Sequence, residues 1–235
     1  MTPEIDRNSR REFVTDVGRF ASAFALTSCM KPSAGTMLAP ASGHPSASAE
    51  EWDLSWIDRL ATATDRAVFD WPTLGDPADA FVLQLAERFL DNCVAAYGQR
   101  KYEARVVLNV RTQAVPAALG DVLWQRYALG VEYNVKDPVS KEPAVRNPFW
   151  YRAPSPVAGV TLPTMEDLLK RGSIALVCDF ALGHLAKRLA TKHNRSADDV
   201  HRDLRAGFIP GAYAVPSGIF GLARAQNSGC AYIRM

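Results

Sequence analysis

The chain has 235 residues, 48% of them hydrophobic and 22% charged, which is the composition of an ordinary globular protein. Its formal net charge is +2, with 5 Lys/Arg and 4 Asp/Glu in the first 49 residues and 22 and 21 in the rest. So balanced a surface lacks the electrostatic footprint of a nucleic-acid or anionic-membrane binder. No run reaches the roughly 18 apolar residues that a membrane-spanning helix requires.

Residues 1–49 read as an address. Arg7, Arg10 and Arg11 precede a modest apolar run, the layout of a signal peptide. Ser9-Arg10-Arg11-Glu12-Phe13-Val14 resembles the twin-arginine export motif, whose receptor passes folded proteins. Leu26-Thr27-Ser28-Cys29 resembles a bacterial lipobox, which would lipidate Cys29 and leave the protein tethered to a membrane. The competing cleavage site is Ala47-Ser48-Ala49, and residues 32–49, rich in Pro, Ser, Ala and Gly, form a flexible tether either way. The expected location is outside the cytoplasm, in the periplasm or anchored through Cys29. The alternative is a cytosolic protein with a basic arm.

Residues 50–235 suit one α/β domain. "DRAVFDW" (65–71) is β-prone, and Asp76-Pro77 signals a helix start. Val82, Leu85, Ala86, Phe89, Cys93 and Ala96 repeat at helical spacing until Gly98, which places Cys93 on a packed face. "ARVVLNV" (104–110) is a strand apolar on both faces. A helix over 117–129, ended by Gly130, and a short strand over 131–135 are expected next. Residues 137–163 carry six of the 15 prolines, which excludes regular structure. This insertion holds Phe149, Trp150 and Tyr151, which serve either as contacts of an interaction arm or as a cover folded onto the domain.

Regular structure resumes at the capping box Thr164/Asp167 and the strand "SIALVC" (173–178). An amphipathic helix over 179–192 and a second capping box, Ser196/Asp199, follow. "AYAV" is a strand, Ser217 caps "GIFGLARAQNS", and "CAYI" closes the chain. Buried strands alternating with helices imply a three-layer α/β/α sandwich with a mostly parallel central sheet of about five strands.

"LLKRGSIALVCDFAL" together with "AGFIPGAYAVPSGIFGLARAQNSGCAYIRM" resembles the C-terminal half of the DsrE/DsrF-like family. There a strand ends in cysteine, and a V-P-S-G turn, a Gln-containing helix and a G-x-A-Y-I strand follow. Residues 65–130 fit the family's earlier half more loosely. The resemblance implies a homo-oligomer and, in the sulfur-handling members, a cysteine that carries a persulfide to a partner. Only Cys178 matches that cysteine, and the 137–163 insertion departs from the family pattern.

Cys178 also stands out on physical grounds. It ends a strand and precedes a helix, whose N-terminal amides stabilise a thiolate, whereas the adjacent Asp179 opposes one. His184 lies on the first turns of the same helix. Ser217 and Gly218 open another helix, a place that can hold a small anion. The expected binding rim is therefore Asp179, His184, Ser217 and Gly218, with Phe149, Trp150 and Tyr151 on the arm.

No C-x-x-C, metal-ligand cluster, kinase loop or hydrolase elbow is present, so neither metal nor cofactor is expected. Two functions compete: a non-catalytic binding and assembly module that self-associates or docks on a protein partner, and a thiol-based sulfur carrier or thiol-exchange protein.

Overall fold

The computed structural model describes residues 52–98, 103–151 and 161–235. The export motif, Cys29 and both cleavage sites lie outside the described residues, as do 152–160 of the insertion. The elements, in chain order, are α1 (Ser55–Ala61), β1 (Asp65–Trp71), α2 (Phe81–Tyr97), β2 (Ala104–Val110), a 3-10 helix (Thr112–Ala118), α3 (Asp121–Arg126) and α4 (Leu129–Glu132). Then come α5 (Met165–Lys170), β3 (Ile174–Cys178), α6 (Asp179–His193), α7 (Ala197–Ala206), β4 (Ala212–Val215), α8 (Gly218–Asn227) and β5 (Ala231–Arg234).

The five strands form one sheet in the order β4-β3-β2-β1-β5, and every pairing is parallel. The period-2 rule divides their side chains between two cores. Phe69, Trp71, Leu108, Val110, Ala175 and Val177 face α2, α5, α6 and the 3-10 helix. Val68, Val107, Ile174 and Leu176 face Trp56 and Leu60 of α1 and Ala225 of α8. The result is a three-layer α/β/α sandwich, in which β1, β2 and β3 are interior because their runs are apolar on both faces. Among the described residues no helix is long and apolar enough to cross a membrane.

Both helix starts are capped, and the first is a full reciprocal capping box. Asp167 N–H donates to Thr164 Oγ1 at 3.1 Å while Thr164 N–H donates to Asp167 Oδ2 at 3.0 Å. Asp199 N–H donates to Ser196 Oγ at 3.0 Å. Each satisfies helix-end amides that would otherwise lack partners.

Four expectations need correction. Asp76-Pro77 does not start α2. Its carboxylate accepts from Ala78 N–H at 2.8 Å, its carbonyl accepts from Ala80 N–H, and that closed turn delays the helix to Phe81. The expected helix over 117–129 is broken up, because Pro116 lies within a 3-10 helix and Leu119 has extended backbone. The strand over 131–135 is absent. Leu129–Glu132 is one helical turn, and buried Gly130 lies so close to the Ala144 backbone that a Cβ would meet its oxygen at 2.2 Å.

The fourth concerns the insertion, where Phe149 is not an arm contact but packs into the core, while residues 139–143 stay exposed. Ala144 and Phe149 are buried, and Asn147 is buried with its Nδ2 donating to the carbonyls of Ala117 and Leu119 at 2.7 and 2.8 Å. Helix α1 has no counterpart among the sequence-based expectations; its two buried residues, four apart in "SWIDRLA", are too brief a signal to stand out.

Candidate functional site

The carboxyl ends of the strands gather most of the chemistry, as is usual for open parallel sheets. β3 ends at Cys178, which becomes the N-cap of α6, its Sγ accepting from Ala181 N–H at 3.4 Å. The thiol is 5% exposed. The β4–α8 turn lies beside it: Cys178 is in register with Val215, and Phe180 N–H donates to the carbonyl of Pro216 at 3.2 Å. Ser217 Oγ caps α8 by accepting from Phe220 N–H at 3.1 Å.

Sequence reasoning missed the group that completes this rim. Asp70 on β1 is buried and meets Arg111, just past β2, in a two-pronged pair: Nε to Oδ1 at 2.6 Å and Nη2 to Oδ2 at 2.8 Å. Tyr232 of β5 donates its hydroxyl to Asp70 Oδ2 at 2.9 Å, and Asn109, the register partner of Asp70, lies at 3.4 Å. Burial acts to raise the Asp70 carboxyl. Hydrogen bonds from Arg111, Tyr232 and Asn109, with the charge of Arg111, outweigh it and hold the group below its ordinary value.

Those Asp70 hydrogen bonds in turn raise Arg111, against burial, and the nearby groups that add to this include Tyr232 and Cys178. The available signal was a polar residue at matching positions in two apolar strands, Asp70 and Asn109. Helix α8 comes close because it starts with glycines: a Cβ on Gly218 would meet Arg111 Cβ at 2.7 Å, and one on Gly221 would meet Asn109 Oδ1 at 2.7 Å.

The other expected residues are distributed unevenly. Asp179 turns toward α7, bonding His201 Nε2 at 2.9 Å with Arg205 Nε at 3.5 Å. Burial raises its carboxyl, and His201 opposes the rise. Asp179 thus belongs to a helix–helix tie rather than to an open ligand rim. His184 is exposed and stacks edge-on with Phe180 at 4.7 Å; no hydrogen bond joins it to Cys178 among the described residues.

Phe149 is 1% exposed and packs edge-on with Trp71 at 5.7 Å, so it is closed to partners. Trp150 is half-buried, packed against the core. Tyr151 donates its hydroxyl to Asp137 Oδ2 at 2.5 Å, under the guanidinium of Arg146. Of the expected residues, Cys178, Ser217 and Gly218 come together; Asp179 and His184 line the same helix, and the aromatic triplet lies elsewhere.

The other thiols are poor nucleophiles. Burial pushes Cys93 up, with Asp65 adding, and pushes Cys230 up to about 11. Among the described residues no group of three or more His, Cys, Asp or Glu is arranged to hold a metal.

No family model matches the chain, and neither does any curated protein. Among solved structures, the protein of unknown function MTH1491 from Methanobacterium thermoautotrophicum is similar. It is 16% identical, with 73% of this chain and 99% of that one covered at a TM-score of 0.36. At that score the fold assignment rests on the sheet topology itself.

Proposed function

We propose that the chain is an exported, non-catalytic DsrE-like binding and assembly module that self-associates or docks on an envelope-associated protein through its carboxyl rim. One observation carries this reading. Phe180 and Ile219, on the first turns of the two helices that start from the ends of β3 and β4, are 66% and 77% exposed, while the Cys178 sulfur at the same sheet edge is closed off. Large apolar groups left in water at one edge of a domain are characteristic of contact surfaces. Export rests on the twin-arginine-like motif, and anchoring on Cys29.

In sedimentation of the full chain, Phe180→Asp and Ile219→Asp are each expected to weaken association at least about tenfold, as loss of a central apolar anchor does. Variants that associate like the parent, or a parent that neither self-associates nor captures an envelope protein, would overturn the reading.

A thiol-based sulfur carrier is the second reading, favoured by the amide donated to Cys178 Sγ. Alkylation separates the two. For a binding module, Cys178 resists iodoacetamide until denaturation. For a carrier, it labels in the native state, and the Cys178→Ser variant loses that signal.

A further inference from the structure

Away from the carboxyl rim, a groove of about 410 Å³ lies beside the amino ends of β3 and β4. That is the size of many small-ligand sites. Arg59, Trp150, Glu166, Lys170, Ser173 and Gly211 line it. Ser173 is 2% exposed, and its hydroxyl has no hydrogen-bond partner, an arrangement that folded proteins avoid unless something supplies one.

Arg59 is held by neutral acceptors alone. Its Nη1 donates to Tyr213 Oη at 3.1 Å and its Nη2 to the carbonyl of Gly172 at 3.3 Å. No carboxylate among the described residues pairs with it, so its charge is positioned but not neutralised. Lys170 and Glu166 cancel one another at 2.8 Å, leaving the lining with one net positive charge. Trp150 contributes an aromatic side chain to the wall.

We propose that this groove binds a small monoanionic carboxylate with a flat apolar body. The carboxylate takes the free donors of Arg59 and the hydroxyl of Ser173, and the body packs against Trp150. A guanidinium matches a planar carboxylate in geometry and charge. With Lys170 already paired to Glu166, a dianion such as a phosphomonoester finds one unpaired cation for two charges, and the unneutralised arginine repels cations. The site is independent of Cys178 and of the Phe180–Ile219 surface.

The test is an NMR titration of the ¹⁵N-labelled full chain with benzoate, benzylamine and benzyl phosphate. Benzoate is expected to shift the amides of Ser173 and Gly211 and the Trp150 indole, with a Kd of about 1 mM or tighter; benzylamine should shift none of them. Arg59→Gln should weaken benzoate at least about tenfold. Ser173→Ala should weaken it several-fold while raising the Tm of the free protein, because an unsatisfied hydroxyl is removed.

The proposal is overturned if benzoate produces no shifts at these residues, if benzylamine produces the same ones, or if benzyl phosphate binds more tightly than benzoate. Unchanged affinity in Arg59→Gln overturns it as well. Should that variant fail to fold, since Arg59 also braces Gly172 and Tyr213, Ser173→Ala decides: unchanged benzoate affinity there overturns the proposal.

Discussion

Replacing Phe149 with alanine is expected to remove about 3–5 kcal/mol of folding stability, the cost of emptying a packed aromatic site. The ring is almost wholly buried and meets Trp71, the last residue of β1, edge-on, an arrangement worth about 0.5–1.5 kcal/mol beyond area burial. The backbone around it is pinned as well. Phe149 N–H donates to Asn147 Oδ1 at 2.9 Å, and its carbonyl accepts from Met165 N–H at 2.9 Å, tying the insertion to the start of α5. Urea unfolding checks the prediction: the midpoint should fall with an unchanged slope. A loss below about 1 kcal/mol would mean that the insertion is only a cover. The same contacts mean that deleting 137–163 would cripple the fold, so such a deletion cannot serve as a clean test of partner binding.

Asp70→Ala is expected to cost about 2–4 kcal/mol. Removing one member of a buried pair typically costs about 3–5 kcal/mol, because the other charge is left desolvated. The lower range applies here because the Arg111 side chain keeps 30% of its exposure and can be partly rescued by water. The hydroxyl of Tyr232 and Nδ2 of Asn109 lose their acceptor at the same time.

The pH dependence has a definite sign. The folded carboxyl of Asp70 lies below its ordinary value, so its contribution is complete above the unfolded value of about 3.9 and is lost as pH falls through the folded value. The stability gap between the parent and Asp70→Asn should therefore be flat from about pH 5 to 8 and shrink below about pH 4. Asp179, whose carboxyl burial raises, titrates in the opposite sense, but it is common to both proteins and cancels in the difference. A gap that persisted unchanged at about pH 3 would show that the Asp70 charge contributes nothing to folding.

All five strands, the Thr164 and Ser196 helix caps and the strand-to-helix corner at Cys178 are legible in the sequence, because each is encoded within a few consecutive residues. Continuous apolar runs such as "ARVVLNV" and "SIALVC" specify burial on both faces, and that alone favours parallel strands under two helical layers. Thr164 with Asp167, and Ser196 with Asp199, mark helix starts through bonds spanning three residues. The misreadings arise where distant contacts override local preference. The alanine-rich stretch near 117 looks helical, yet its carbonyls at Ala117 and Leu119 are taken by Asn147 from 30 and 28 residues away.

Proline density correctly excludes helix and strand from the described residues of the insertion, but it says nothing about burial, and Phe149 goes to the core. The rim shows the same division. Cys178 can be found from its own neighbours, whereas Asp70, Arg111 and Tyr232 come together only because β2, β1 and β5 lie side by side in the sheet. Sequence alone therefore determined the layered parallel class and the thiol's corner, both local consequences of side-chain periodicity and capping. Strand order and charge pairing across it required the tertiary structure, because they depend on which surfaces fit together rather than on which residues are consecutive.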